Sequence, residues 1–396
     1  MILRVLLLSF YYQPDLSAGS FRTTALVKAL LNVLPENASV EVITTQPNRY
    51  SSFSLEAPLL EEHPRLTIRR IQLRDHNSGM VDQSRAFFGY LKEVLKLTRS
   101  QRYDVVYATS SRLMTASLGA LVAKRARCPL YLDIRDIFVD TIKDVLPSKV
   151  TWLIKPAFSI IERMTIGAAT RINVVSAGFL PYFQSRYPRG EFVVFTNGID
   201  EEFLDAQPQE EQLSESGELT VLYAGNMGEG QGLHTIVPQL AQRFEGRLKF
   251  LCIGDGGRRS QLKSAIEASG CRNVTLAPPV RRDELIAAYQ AADVLFLHLN
   301  DYDAFRKVLP SKLFEYAALG KPIWAGVAGY SAEFIRQHVS NAAVFSPCNV
   351  EEAVEGFASL SMATRPRNDF VEQFARTHIM QGLAQNIVLL AGSQSK

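Results

Sequence analysis

Short apolar runs alternate with longer amphipathic segments along most of this chain. In the first half, runs rich in branched and apolar residues predict strands at Ile2–Phe10, Val40–Thr44, Leu66–Ile71, Val105–Ala108, Leu130–Ile134, Ile172–Val175 and Phe192–Phe195. Helical periodicity lies between them at Arg22–Leu34, Arg85–Thr98 and Ala157–Ala169. The second half repeats the alternation, with strands expected at Thr220–Ala224, Lys249–Ile253, Val274–Ala277, Val294–Leu297 and Pro322–Ala325. Such alternation predicts parallel sheets covered by helices on both faces.

A polar, acidic and turn-rich stretch, Thr196–Glu218, separates the two halves and is typical of a linker. The expected fold class is therefore α/β, with two doubly wound domains at 1–198 and 199–376. The last residues, 377–396, are expected to form a helix that can pack back on the first domain. Ligands of such sheets bind beyond the carboxyl ends of the strands, so two facing domains would form one interdomain cleft.

Composition narrows the class of protein. A length of 396 residues fits two domains, and 47% hydrophobic with 21% charged residues is ordinary for a soluble globular chain. The net charge of +3 is too small to indicate nucleic-acid binding. The four cysteines lack CxxC spacing, which argues against zinc or a disulfide framework and favours a reduced, cytoplasmic compartment. The first apolar run reads as a buried strand rather than a secretory signal, and no run reaches the roughly 18 residues of a spanning helix.

A glycine-rich turn follows the first strand of the second half. Gly225, Gly228, Gly230 and Gly232 come within eight residues of the strand end at Ala224. Glycines allow a tight turn and let backbone N–H groups approach an anion at a helix N-terminus. The spacing is neither GxGxxG nor that of a P-loop, so phosphate binding and a plain turn both stay open.

A second glycine turn, Gly254–Gly257, follows the next strand. It lacks the third glycine and the acidic residue that a dehydrogenase would need. The alternative is a simple turn in which Asp255 caps the following helix.

Two strand ends in the first half also carry polar residues. Asp133, Arg135 and Asp136 follow a strongly apolar strand, where charges are costly to bury unless paired, so an internal Arg–Asp pair is the alternative to a functional site. Gly19 lies in the first strand–helix turn, and Arg22 is expected to direct a cation towards the cleft. The alternative is that Ser20 of this turn only caps the helix.

The triplet Asp301-Tyr302-Asp303 has the DxD form of some metal sites. Two carboxylates in a loop are more often solvated, and no third ligand is evident nearby. No metal is therefore expected.

The motifs together carry a resemblance. "YAGNMGEGQGL", "LKFLCIGDGGRRSQL", "NVTLAPPVRRDELIAAYQAADVLFLHL" and "LPSKLFEYAALGKPI" resemble, in order and spacing, the nucleotide-sugar-binding domain of family 4 glycosyltransferases, which have the GT-B fold of two facing Rossmann-like domains. The first half agrees more loosely, through "PDLSAGSFR", "DIRDIF", "INVVSAGF" and "FTNGID". The pattern is most similar to the branch that assembles bacterial surface polysaccharides, including aminosugar transferases of O-antigen synthesis. The resemblance makes 1–198 the acceptor-binding domain and 199–376 the donor-binding domain.

The resemblance implies roles for individual residues. Glu315 matches the second glutamate of the family's E-x7-E motif, whose carboxylate accepts hydrogen bonds from the ribose hydroxyls. We expect this buried carboxylate to be satisfied only when the nucleotide is present. The backbone at Val280 and Arg281 would flank the base. Asp136, with Arg135, is the catalytic candidate on the acceptor side, although the family usually has a histidine at the position of Asp136.

The sequence also departs from the family. Lys307 stands where the first glutamate of the motif is usual, and Asn226 and Gln231 stand where many members hold the diphosphate with an arginine and a lysine. The cations left near the expected cleft are Arg22, Arg306, Lys307 and Lys312. Lys312 is expected to contact the donor diphosphate, with Arg306 or Arg22 as a second cation, because a leaving diphosphate needs donors already in place. The donor-binding residues predicted are Gly19, Arg22, Gly225, Asn226, Gly228, Gln231, Gly254, Val280, Arg281, Arg306, Ser311, Lys312, Leu313 and Glu315.

The expected function is retaining transfer of a sugar from a nucleotide diphosphate, with a UDP-sugar as the expected donor, to a hydroxyl of a lipid-linked saccharide acceptor. No cofactor or metal is expected, and the leaving phosphate would act as the base. A nucleotide-sugar 2-epimerase using the pair Glu229 and His234, or a non-enzymatic two-lobed sugar-binding protein, are the alternatives.

Two basic amphipathic segments, "FFGYLKEVLKLTRSQR" and the stretch around Trp152, predict either contact with an anionic membrane at the inner face of the cytoplasmic membrane or ordinary helices packed on their sheet.

Overall fold

The computed structural model describes residues 3–15, 17–47, 57–73, 80–110, 113–137, 139, 148–204 and 217–392, with backbone only for 80–84 and 148–153. Residues 205–216 of the predicted linker and the side chain of Trp152 thus lie outside the described part. The chain forms two compact units, Met1–Asn197 with Arg376–Lys396, and Gly198–Ala375.

The first unit is built on an eight-stranded sheet. Its strands are β1 (Arg4–Leu8), β2 (Ser39–Thr45), β3 (Leu60–His63), β4 (Leu66–Ile71), β5 (Val105–Thr109), β6 (Leu130–Ile134), β7 (Arg171–Val174) and β8 (Phe192–Val194). They lie in the order β3-β4-β2-β1-β5-β6-β7-β8. Neighbours are parallel, for example Val5 opposite Val40 and Val105, except for the antiparallel pair β3–β4. The helices of this part of the chain are α1 (Ala18–Val33), α2 (Met80–Leu97), α3 (Leu113–Ala126), α4 (Ser148–Ala168) and α5 (Leu180–Arg186).

The second unit has a six-stranded parallel sheet. Its strands are β9 (Leu219–Ala224), β10 (Leu248–Ile253), β11 (Val274–Ala277), β12 (Val294–His298), β13 (Ile323–Gly326) and β14 (Ala342–Phe345), in the order β11-β10-β9-β12-β13-β14. Its helices are α6 (Glu201–Leu204), α7 (Leu233–Arg243), α8 (Arg259–Ser269), α9 (Arg282–Ala291), α10 (Lys312–Ala318), α11 (Tyr330–His338), α12 (Val350–Ala358) and α13 (Asn368–Phe374). The prediction of an α/β protein with two parallel-sheet domains is confirmed.

The last helix, α14 (Arg376–Gly392), belongs to the first unit and packs against α1. Its residues Met380, Leu383 and Ile387 are fully buried in the cluster that also holds Val5 of the central strand. In the second unit, Trp324 of β13 is fully buried in the apolar cluster, and its indole N–H donates to the carbonyl of Ala353. Each sheet is therefore anchored by apolar packing on its covering helices, which leaves the strand ends to carry polar residues.

Two strands were not predicted from the sequence. The residues of β3, LEEH, are mostly charged and exposed, because an edge strand has only one neighbour and can face solvent. The strand β14 has the sequence AAVF, and its two alanines, which are poor strand formers, weaken the apolar run. Among the described helices, none has the length and apolar character needed to cross a bilayer.

The order of the second sheet positions the candidate site. Strands β10, β9 and β12 are neighbours and parallel, so Ile253, Ala224 and His298 end at the same edge. The turns that follow these strands are therefore brought together, although they are distant in sequence.

Candidate active site

The two glycine-rich turns of the second unit pack directly on each other. Gly225 and Gly254 follow β9 and β10 with φ angles of +136° and +142°, which favour glycine. A Cβ atom added to Gly254 would lie 2.0 Å from the carbonyl oxygen of Gly225, and one added to Gly256 would lie 2.7 Å from the backbone nitrogen of Met227. The packing of one turn on the other, rather than a ligand, thus explains the glycine at position 254.

Backbone hydrogen bonds fix these turns. Gly225 N–H donates to Ile253 O at 2.9 Å, and Met227 N–H donates to Asp255 O at 2.8 Å. The alternative in which Asp255 caps the next helix is wrong, because its carboxylate accepts from Gly256 N–H and α8 begins later, after Arg258. Asp255 instead stabilises the turn itself.

The amides Asn226 and Gln231 brace the first turn from within. Asn226 Nδ2 donates to Gln231 Oε1 at 2.8 Å, and Gly228 N–H donates to the same oxygen at 3.1 Å. These two positions, where the resemblance led us to look for cations, thus hold a neutral pair. A cation for an anionic ligand must come from another element.

Lys312 is the cation that lies against this turn. It is the first residue of α10, and its Nζ lies 3.9 Å from the ring centroid of Tyr223 and 2.8 Å from where a Cβ of Gly225 would stand. The side chain therefore turns inward, not outward into solvent. Burial lowers the pKa of Lys312 to about 7, against the opposing effects of Glu315 and Cys252. Within the described residues, Lys312 Nζ has no hydrogen-bond or ion-pair partner, only the face of the tyrosine ring.

Glu315 lies one helical turn further along α10. Its Oε1 is 3.2 Å from Arg282 Nη1, and its Oε2 accepts from the hydroxyl of Tyr289 at 3.3 Å. The expectation that this carboxylate is satisfied only by a nucleotide is therefore wrong, since it has two protein partners. An ionised carboxylate accepts about four hydrogen bonds, so about two acceptor positions remain.

His298 was missed by the sequence analysis. It is fully buried at the end of β12, where Nδ1–H donates to Gln231 O at 2.7 Å and Nε2 accepts from Cys348 N–H at 3.0 Å. Burial lowers its pKa to about 4, although the bond to Gln231 opposes this, so the ring is neutral and its tautomer is fixed. The sequence feature that could have identified His298 is a single histidine at the end of an apolar strand. An imidazole buried there needs a hydrogen-bond partner on each ring nitrogen.

Arg306 is less suited to a ligand than expected. Its guanidinium is exposed and pairs with both carboxylate oxygens of Asp301, at 2.5 and 2.7 Å. Lys307 Nζ donates to the carbonyl of Asp303. Asp301 of the DxD triplet is thus part of a salt bridge, and no cluster of three or more metal-binding side chains occurs in the described ranges.

The remaining predicted donor residues of this unit make local contacts. Leu313 is a core residue, and its N–H donates to Pro310 O at 3.1 Å. Ser311 precedes α10 without a side-chain capping bond. Arg281 N–H donates to the Glu284 carboxylate at 3.3 Å, so this amide already has a partner next to the partly exposed Val280.

The prediction that Arg22 of the first unit is a phosphate ligand is wrong. Its side chain is 0% exposed, and its Nε and Nη2 bind the carboxylate of Asp133 at 2.9 and 3.0 Å. The remaining donors bind the carbonyls of Phe195 and Thr196. Burial raises the pKa of Asp133, but the Arg22 guanidinium lowers it more, so the pair stays charged. The internal Arg–Asp pair considered above does exist, with Arg22 as its arginine.

The other first-unit candidates lie at the carboxyl edge of their sheet. Helix α1 begins at Ala18 with Ser17 as its capping residue, so Gly19 lies in the first helical turn and Ser20 is not the cap. Arg135 Nη1 donates to the carbonyl of Ala18 at 3.2 Å, and burial lowers the pKa of Arg135. Asp136 is exposed beside it. Their catalytic role stays a prediction.

Comparison with known proteins covers both halves of the chain. A family model described as glycosyl transferase 4-like domain matches residues 23–198, and one described as glycosyl transferases group 1 matches residues 205–376. The chain belongs to the GT-B glycosyltransferases of the family 4 type.

Individual relatives are distant from this glycosyltransferase. A putative colanic acid biosynthesis glycosyl transferase of Escherichia coli K12, WcaI, is 33% identical over 100 residues, which are 25% of this chain and 24% of that protein. HepE of Anabaena in complex with UDP-glucose is 16% identical with a TM-score of 0.70, over 98% of this chain and 99% of that chain. Sucrose-phosphate synthase of Thermosynechococcus elongatus is 14% identical with a TM-score of 0.68, over 99% and 97%. The solved structures support the fold.

The glycosyltransferase thus brings part of the predicted donor set together. Gly225, Asn226, Gly228 and Gln231 form one turn, with Lys312 beneath it, and α10 links this turn to Glu315. Besides His298, the sequence analysis missed the partners of Glu315 and of the lysine, which are Arg282, Tyr289 and Tyr223.

The contact between the turns generates a test of stability. We expect Gly254→Ala to cost about 2 kcal/mol or more, because the new Cβ overlaps the Gly225 carbonyl and the φ angle is strained. For a unit of this size that lowers the melting temperature by about 4–8 °C in calorimetry. The control is Gly257→Ala, whose Cβ would meet nothing within 4 Å. Equal melting temperatures for the two variants would contradict the described packing.

Proposed function

We propose that this protein transfers a sugar from a nucleoside diphosphate donor, a UDP-sugar, to a hydroxyl of a saccharide acceptor with retention of configuration. One observation carries the proposal: Lys312 and Glu315 stand on the same side of α10. Among the described residues, no carboxylate forms an ion pair with the Lys312 ammonium at the glycine turn, and the Glu315 carboxylate, with acceptor positions to spare, lies one helical turn away. This spacing fits the diphosphate and the ribose of one nucleotide.

The charges of the site support the chemistry. When the bond from the sugar to the diphosphate breaks, negative charge builds on the leaving phosphate, and Lys312 beside the Gly225 backbone is already placed to stabilise it. The acceptor hydroxyl attacks the same face of the sugar, and its proton passes to the leaving phosphate oxygen. Glu315 is held by Arg282 and Tyr289, so we assign it to binding rather than to proton transfer. In this scheme Lys312 supplies the positive charge, and no metal ion is required.

The relatives favour the same substrates. HepE is described in complex with UDP-glucose, and WcaI is described as a colanic acid biosynthesis enzyme. These descriptions support a UDP-sugar as donor and a saccharide of a surface polysaccharide as acceptor, and we further propose that this saccharide is lipid-linked.

The epimerase alternative is not favoured by its proposed acid–base pair. Glu229 accepts from the hydroxyl of Tyr302 at 2.8 Å and pairs with Arg258 at 2.6 Å. The hydrogen bond from Tyr302 lowers the pKa of Glu229, and burial lowers that of His234. Slow release of UDP from a UDP-sugar separates a transferase from both an epimerase and a sugar-binding protein, which do not release UDP in this way.

A membrane-bound acceptor requires a surface that meets the membrane. On helix α2, Phe87 and Val94 are buried whereas Phe88 is 64% exposed, so only part of the expected apolar face is open to solvent. On α4, however, Ile160 and Met164 are exposed one turn apart, and Arg163 is exposed between them. We propose that this face of α4 contacts an anionic bilayer.

Glu315→Ala is expected to lower kcat/KM for release of UDP from a UDP-sugar by about 10²-fold, because hydrogen bonds to a charged group contribute roughly 1.5–3 kcal/mol each. The folded state should persist, because Asp200 and Glu202 still neutralise Arg282. Glu351→Ala, at a carboxylate that is 78% exposed, is the matched control. Activity equal to wild type, with circular dichroism unchanged, would show that the carboxylate does not bind the donor.

Lys312→Met is expected to weaken binding of UDP in titration calorimetry while leaving uridine little changed, and Lys312→Arg should weaken UDP less. Because the pKa of Lys312 is lowered to about 7, the ammonium is protonated below that pH and loses its charge above it. Wild-type affinity for UDP should therefore fall from pH 7 to pH 9, and the fall should be absent in Lys312→Met. Lys263→Met, at an exposed lysine, is the control. Parallel loss of UDP and uridine, or no loss, would exclude Lys312 as the phosphate contact.

Met164→Glu is expected to reduce co-sedimentation with vesicles that contain anionic lipid, because a carboxylate would enter the contact surface. Leu389→Glu on α14 is matched in exposure, at 68% against 70%, and should bind as wild type does. Wild-type protein that stays in the supernatant at low salt would contradict the membrane contact.

A further inference from the structure

Arg282 bridges three carboxylates next to the proposed ribose site. Its Nη1 lies 3.2 Å from Glu315 Oε1, its Nη2 lies 2.6 Å from Asp200 Oδ2, and its Nε lies 2.8 Å from Glu202 Oε2. The side chain is 17% exposed, so solvent screens these contacts only in part. All three kinds of guanidinium nitrogen are used, which a single ammonium could not reproduce.

The position of Arg282 in its helix is otherwise unfavourable. It is the first residue of α9, where the helix dipole repels a cation. Burial lowers the pKa of Arg282, but the carboxylates of Glu315, Asp200 and Glu202 raise it more, so the guanidinium stays charged. The three carboxylates thus explain why a cation is stable there, and the cation in turn relieves the repulsion among them.

The short helix α6 contacts both protein partners of Glu315 through a second residue, in addition to the ion pair between Glu202 and Arg282. Phe203 of α6 is buried, and its ring lies 4.5 Å from the Arg282 guanidinium carbon. The same ring is 5.9 Å from the ring of Tyr289, whose hydroxyl donates to Glu315 Oε2. Both oxygens of Glu315 are therefore oriented by residues that pack against α6, the segment that opens the second unit.

We propose that Arg282 is a positioning residue that fixes the Glu315 carboxylate in the orientation that accepts the two ribose hydroxyls of the donor. With one contact on each oxygen, the carboxylate keeps about two acceptor positions in a fixed direction. A group held this way does not lose further rotamer freedom when the ligand binds. The proposal rests on the proposed function, because it assigns the ribose of a nucleotide to Glu315.

The test compares UDP with 2′,3′-dideoxyuridine diphosphate in titration calorimetry. Wild type should bind UDP more tightly, because the analogue lacks both hydroxyls. Arg282→Met should lose about tenfold in affinity for UDP and little for the analogue. Arg282→Lys should show the same selective loss to a smaller degree, and it keeps a positive charge among the carboxylates, which guards against unfolding. Arg243→Met removes an exposed arginine of the same unit and should match wild type for both ligands.

The outcomes separate the two claims. The positioning role would be overturned if Arg282→Met bound UDP and the dideoxy analogue more weakly by the same factor, even if its melting temperature falls. It would also be overturned if Arg282→Lys kept the wild-type ratio of the affinity for UDP to the affinity for the analogue. Wild type that binds neither diphosphate would overturn the proposed function itself. Loss of the UDP preference in both Arg282 variants, with circular dichroism retained in Arg282→Lys, is the result that supports the proposal.

Discussion

The carbonyl oxygen of Gly225 lies where a side chain on Gly254 would begin, and the candidate site depends on that contact. Parallel strands bring β9 and β10 to one edge, and only glycine lets the turns that follow them approach so closely. Because Gly225 has no side chain, the ammonium of Lys312 lies directly against its backbone. The backbone and the lysine therefore meet at one place without any ligand to assemble them.

Arg22 and Arg282 both pair with carboxylates, but their different surroundings give them different roles. Arg22 has no exposed surface, and its hydrogen bonds within the described residues go to Asp133 and to backbone carbonyls, so it ties α1 to the strand ends of the first unit. Arg282 keeps some exposed surface and binds the Glu315 carboxylate, which has acceptor positions left. The first arginine serves the fold, whereas the second lies next to an oxygen that a ligand can still reach. Lys312 differs from both, because within the described residues its ammonium meets a tyrosine ring and no anion.

Twelve of the fourteen described strands were predicted from the sequence to within a few residues, because buried parallel strands are continuous apolar runs. The strands β3 and β14 were missed. The sequence also identified Lys312 as a candidate cation, and the structure places its Nζ beside Gly225, while its contact with a diphosphate stays a prediction. It failed where a residue's partner is far away in sequence. Arg22 and Asp133 are 111 residues apart, and Arg282 and Glu315 are 33 apart, so no local pattern shows either pair. His298 was overlooked for the same reason, as its partners belong to a turn and a loop on other strands.

The central claim is that α10 binds one nucleotide through Lys312 and Glu315. A crystal structure of the protein with UDP tests it most directly. The account predicts the diphosphate within hydrogen-bond distance of Lys312 Nζ and of the Gly225 turn. It also predicts both ribose hydroxyls on Glu315, with the Arg282 contact retained. A nucleotide bound elsewhere, or one whose ribose leaves Glu315 untouched, would contradict the account.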